Sequence, residues 1–100
     1  MLPDKQCMID ILKFISENNQ VKVVDGSYHN ISLGSLSVSN FLKDMSAKTE
    51  YDMDTIAYNF MQCYNNGLVE AKFNYKDSKT IMASTSTIYY VTVKGVNFIN

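Results

Sequence analysis

One hundred residues, 46% of them apolar and carrying ten acidic against nine basic side chains, suit one compact domain with a single core and leave no room for two. No run of about 18 apolar residues is present, and Pro3, Asp4 and Lys5 interrupt the apolar start, so neither a membrane-spanning helix nor a secretory leader is expected. Cys7 and Cys63 are too few and too far apart for a disulfide scaffold or a zinc site, and both read as reduced, small core residues of a cytoplasmic protein.

The first helix is expected from about Pro3 to Asn18. Met8, Ile11, Leu12 and Ile15 recur at helical spacing, while Gln6, Asp10, Lys13 and Glu17 fall on the opposite side. Pro3 suits the first turn, where its missing N–H costs nothing. Asn18, Asn19 and Gln20 end that helix, and Val21 to Val24 form a short strand followed by the turn signal Asp25-Gly26. Residues 27 to 36 place Ile31, Leu33 and Leu36 among small polar residues, which leaves open a second short strand or an irregular crossing. Ser37 caps a second helix in which Val38, Phe41, Leu42 and Met45 fall at i, i+3, i+4 and i+7, ending near Lys48.

The third helix carries the clearest pattern. Asp52 is a good cap, and Asp54 in the first turn complements the positive end of the helix dipole. At about 100° per residue, Met53, Ile56, Ala57, Phe60, Cys63 and Tyr64 share one side, and Thr55, Tyr58, Asn59, Gln62, Asn65 and Asn66 the other. Gly67 supplies the cap residue that ends it. Leu68 to Tyr75 reads as a strand, Lys76 to Lys79 as a polar tip, and Ile88 to Val93 as the returning strand, with a Ser/Thr-rich segment from Ser84 to Thr87 between. Lys94 to Ile99 completes the chain as a short helix, with Phe98 and Ile99 packing back on the core. Either the natural chain continues past it or this helix completes a dimer contact.

In order, these elements with their Asn-Asn-Gly-Leu-Val-Glu-Ala and Tyr-Tyr-Val-Thr-Val-Lys-Gly-Val-Asn-Phe-Ile segments resemble a family of short bacterial and prophage winged-helix proteins classed as a domain of unknown function. The resemblance is best over Met8 to Asn18, Tyr51 to Lys72 and Tyr89 to Ile99 and skips the middle. It implies an α+β fold of the winged helix-turn-helix kind: a three-helix core, a small antiparallel β-hairpin wing and a short C-terminal helix. It carries no catalytic residues and implies a small regulator or accessory protein of a low-GC bacterium or its phage.

Nucleic-acid binding through the third helix and the wing is what such a fold implies by analogy. The contact residues expected are Thr55, Tyr58, Asn59 and Gln62 on the helix, and Lys72, Lys76 and Lys79 on the wing. Asn59 and Gln62 are suited to adenine, Thr55 to a phosphate or a thymine methyl, and the lysines to phosphates through counterion release. Charge argues the other way. All nine basic residues are lysine, and between Lys48 and Lys72 lie Glu50, Asp52, Asp54 and Glu70 with no base. Asp52 and Asp54 also occupy the helix end that otherwise accepts phosphate.

The rival reading is a protein–protein interaction module, since a face of Tyr58, Asn59, Gln62 and Asn65 is uncharged and aromatic. An enzyme is not expected. The single histidine, His29, lies in the polar turn Tyr28-His29-Asn30, and capping accounts for Asp52 and Asp54. No cofactor or metal site is expected. The expected role is a cytoplasmic, homodimeric regulator of transcription or of a phage or mobile element, its partner double-stranded DNA or, in the alternative, a protein, and no membrane.

Overall fold

Helix α1 (Lys5–Asn18) begins where Asp4 turns its carboxylate onto the Cys7 N–H at 3.1 Å, one residue past the expected first-turn position of Pro3. Its apolar stripe of Cys7, Met8, Ile11, Leu12 and Ile15 is fully or nearly fully buried. A computed structural model of the chain describes residues 1–26 and 28–100. Beyond α1, β1 (Lys22–Val23) pairs antiparallel with β2 (Ile31–Ser32) as a separate ribbon, and β3 (Leu36–Ser37) leads into α2 (Val38–Lys48). Ser37 caps α2 through the Asn40 N–H, and Asp52 caps α3 (Met53–Asn65) through the Thr55 N–H at 2.8 Å. Both caps are the ones the sequence places there.

The stretch after α3 is more divided than one strand and its return. It comprises β4 (Val69–Lys72), β5 (Tyr75–Asp77), β6 (Thr80–Ile81) and β7 (Thr87–Val91), followed by α4 (Val93–Ile99). A three-stranded antiparallel sheet runs in the order β3–β7–β4, and β5–β6 forms a two-stranded hairpin beyond it. Asn74 makes the break between β4 and β5. Its backbone N–H donates to the buried Ser86 Oγ and its side chain to the Thr85 carbonyl, so Phe73 swings inward against Phe60 and Tyr64. The fold is therefore α+β, with four helices over small antiparallel sheets among the described residues.

The core is one cluster. Cys7, Met8, Ile11, Leu12 and Ile15 of α1 meet Val38, Phe41 and Met45 of α2, Ile56, Phe60 and Cys63 of α3, and Leu68, Val69 and Ile88 of the segment and sheet beyond. Each buried Ile, Leu, Phe or Met side chain contributes about 1.5–3 kcal/mol. Phe41 bridges Phe14 and Phe60 with ring centroids 5.8 and 5.2 Å away, which carries the aromatic packing across all three helices.

Two polar devices fix how α1 and α4 sit. Asn19, just past the helix, is buried; its Nδ2 donates to the carbonyls of Ile88 and Tyr89, and its Oδ1 accepts from the Ser35 N–H at 3.1 Å. The pairing of β7 with β4 slips at this point, with Glu70 opposite Tyr90 but Ala71 opposite Ile88, so Tyr89 is the extra residue of a β-bulge. Asn19 serves carbonyls where the bulge interrupts the ladder. Gly34 lies against the same amide at φ +90°, and a Cβ there would collide with the Asn19 side chain. At the other end of the chain, Thr92 caps α4 and also donates through Oγ1 to the Gly67 carbonyl. Gly95 is buried against the Leu68 carbonyl, where a Cβ has no room. Thr92 and Gly95 of the C-terminal motif thus seal α4 onto the end of α3.

Asn19→Ala removes three hydrogen bonds from a buried junction and is expected to lower the free energy of unfolding by about 3 kcal/mol. Gly34→Ala, strained and clashing at once, should cost a comparable amount. Urea unfolding followed by circular dichroism measures both; a loss under about 1 kcal/mol for Asn19→Ala would show the junction to be dispensable.

Candidate nucleic-acid interface

Helix α3 turns its buried arc inward through Ile56, Asn59, Phe60 and Cys63. Successive steps of about 100° then put Asp54, Tyr58, Met61 and Asn65 on the far side. The inward arc is rotated from the expected one, and Asn59 is the residue that changes sides. It is 1% exposed, not outward. Its Oδ1 accepts from the Asp4 N–H at 2.9 Å and its Nδ2 donates to the Thr55 carbonyl at 3.0 Å, so the amide holds the start of α1 on α3. A carboxamide this deeply buried, bonded at both its oxygen and its nitrogen, cannot reach a base edge. Met53, expected on the apolar side, is half exposed at the first turn.

Thr55, Tyr58 and Gln62 are half-buried. At i, i+3 and i+7 they form one stripe, on the flank of α3 nearest α1. Gln62 leans over the junction with α1 and α4, beside Lys5, Met8 and Phe98. The other flank of α3 meets the hairpin. Ala57, Phe60 and Met61 face Phe73, Ile81 and Ala83 there, with Val38 and Leu42 of α2 closing a trough of about 160 Å³. Every residue lining this trough is of an apolar type. Lys72 on β4, Lys76 on β5 and Lys79 at the hairpin tip are all exposed, and they belong to the hairpin flank. The structure therefore keeps Thr55, Tyr58 and Gln62 together, withdraws Asn59, and leaves Lys72, Lys76 and Lys79 on the strand and hairpin beyond the other flank of α3.

The electrostatics follow the capping. The Asp52 carboxylate accepts from the Thr55 N–H, which holds its pKa below the usual carboxylate value and keeps it charged at the start of α3. Asp77 is lowered in the same way by the Lys79 N–H, which fixes the hairpin tip and the backbone of Lys79. Glu70 stands exposed two residues before Lys72 on the outer side of β4. Tyr89 and Tyr90 are both half-buried, because the bulge at Tyr89 disturbs the alternation of β7. Met61 is the residue of this face that sequence reading missed. Counting from Ile56, Phe60 and Cys63 alone would have set it outward.

The remaining reactive groups are tied to structure. Burial, followed by the nearby charges of Asp4 and Asp10, pushes the Cys7 thiol up to about 11; burial pushes Cys63 up to about 12. Tyr51 donates to Asp10 at 2.7 Å, and that bond raises its phenol pKa because ionisation would set two anions together. His29 rests against the Tyr28 ring with centroids 4.5 Å apart. Among the described residues, no three His, Cys, Asp or Glu side chains are grouped to hold a metal ion, and no helix is long and apolar enough to cross a membrane.

Asn59→Ala should destabilise the fold by about 1–3 kcal/mol and raise hydrogen exchange at the Asp4 amide selectively; unchanged exchange there would remove the clamp from the account. Both thiols are held neutral above the unfolded value of 9.0. Their contribution to stability is whole below about pH 9 and is lost as pH rises through 11 to 12. A thiol reagent at pH 8 is thus expected to label Cys7 and Cys63 only at the rate of unfolding, while fast labelling of native protein would contradict their burial. No protein-family model, no curated protein and no solved structure matches this chain.

Proposed function

We propose that the chain is a winged helix-turn-helix domain that binds double-stranded DNA, acting as a small homodimeric regulator of transcription or of a mobile element in the cytoplasm. The order α1, β1–β2 ribbon, β3, α2, α3, β4, β5–β6 hairpin, β7, α4, with β3 pairing beside β7, supports the winged-helix reading. The observation that carries the DNA reading is that α3 runs through Gly67 directly into the strand and hairpin on which Lys72, Lys76 and Lys79 all stand exposed. In this reading Tyr58 leads α3 into the major groove, Thr55 and Gln62 meet one wall, and the three lysines track phosphates on the other. Asp52 and Asp54 repel phosphate from the first turn of α3, so the middle and C-terminal half of the helix approach the duplex.

A second reading, a protein-interaction module, is favoured by the trough between α3 and the hairpin. Where a DNA reader gains from cations, Ala57, Met61, Phe73 and Ile81 present hydrocarbon. An apolar partner side chain seated there would also cover Tyr58.

Titration with random-sequence duplex DNA at several salt concentrations separates the two. Three lysine–phosphate contacts predict a log–log salt slope of about −2.7 per protomer, falling to about −1 in the Lys76→Ala/Lys79→Ala variant. Gln62→Ala should relax sequence preference and leave the slope unchanged. Absence of binding at low salt, or a slope indifferent to the two lysines, would reject the DNA reading in favour of a protein partner.

A further inference from the structure

A second concave surface lies away from the hairpin, where the start of α1, the C-terminal half of α3 and α4 converge. The cleft measures about 410 Å³, a size suited to a small ligand. Its floor is hydrocarbon, formed by Met8, Leu68 and Phe98. Two lysines line it, Lys5 from α1 and Lys94 from the first turn of α4, and the Lys5 Nζ lies 5.8 Å from the centre of the Phe98 ring. Gln62 of α3 and Asn66 just past its end add carboxamides; the Asn66 Nδ2 donates to the Gln62 backbone carbonyl. No acid is among the described residues lining the cleft. Asp4, the nearest in sequence, is turned onto the Cys7 N–H.

We propose that this cleft binds a small free carboxylate with a hydrocarbon body. An apolar floor beneath a pair of cations, with an amide donor at the rim, matches such a molecule at both ends: the body displaces water from Met8 and Phe98, and the carboxylate lies between Lys5, Lys94 and the Gln62 amide. A second copy of this chain fits less well, because a twofold contact would set the lysine pair against its own equivalent with no acid to answer it. The site does not depend on what the wing binds, so it stands or falls apart from the DNA reading.

Octanoate is the probe, with octanol and octylamine as matched neutral and cationic controls, followed by amide chemical shifts in the full chain. About ten ligand heavy atoms predict a dissociation constant on the order of 1 mM, with saturable shifts at the Gln62 and Asn66 side-chain amides and along Gly95 to Ile99. Octylamine should bind more weakly than octanoate. The Lys5→Gln/Lys94→Gln variant, altered only at exposed positions, should keep the remaining spectrum and weaken octanoate about tenfold. Equal affinity for octanol and octanoate would overturn the proposal, as would shifts centred on Met61 and Ile81 or no saturation by about 10 mM. Binding to phosphatidylglycerol vesicles without a saturable octanoate response would also overturn it, by moving the carboxylate's role to a lipid headgroup.

Discussion

Two asparagine side chains, one at each end of α1, decide how this molecule is assembled. At the C-terminal end Asn19 reaches from the helix to the bulged strand β7 and to the backbone at Ser35. At the N-terminal end Asn59 reaches from α3 to the Asp4 N–H. Apolar burial brings α1 onto the core but leaves it free to slide along its stripe, because hydrophobic attraction has no direction. The two amides are directional, and each would leave buried polar groups unsatisfied if the helix shifted by a residue. The position of α1 in turn sets the floor of the cleft that it shares with α4, and the flank of α3 that stays open.

Spending amides on architecture narrows the surface that remains for recognition. Asn59 is withdrawn from the outward face of α3, Asp52 is committed to its cap, and Asn74 and Ser86 are committed to the hairpin base. What is left on α3 is Tyr58 with Thr55 and Gln62 on one side, and Ala57 and Met61 on the other. The helix therefore presents a polar flank and an apolar flank with a tyrosine at the crest. All nine lysines are exposed; Lys76 and Lys79 stand on the hairpin and Lys72 on β4, beyond the end of α3. Helix α3 itself carries no lysine or arginine, and its flank toward the hairpin is hydrocarbon.

The C-terminal segment shows the same economy. Thr92 caps α4 and bonds the Gly67 carbonyl, while Gly95 lets the Leu68 backbone come within van der Waals range of the helix. A short helix of this kind has little intrinsic stability and is held by packing. Its seven residues supply both Lys94 and Phe98 to the cleft, so the seal that anchors α4 also shapes that cleft.

Local chemistry was legible from the residues alone. Ser37 and Asp52 cap helices because a side-chain oxygen beside orphan N–H groups has one favourable use, and the 3.6-residue recurrence of Met8, Ile11, Leu12 and Ile15 or of Ile56, Phe60 and Cys63 needs no partner to be read. A short strand after α1, a strand and its return after α3 and a terminal helix were legible for the same reason, whereas residues 27 to 36 left a second strand and an irregular crossing equally open. The break at Asn74, the bulge at Tyr89 and the inward turn of Asn59 were not, since each depends on a group distant in sequence: Ser86 for Asn74, the slipped register of β4 against β7 for Tyr89, and the Asp4 N–H for Asn59. An asparagine on a helix is polar by composition, and composition puts it outside. Only the tertiary structure, by bringing an unsatisfied backbone donor to it across 55 residues, decides that it belongs within.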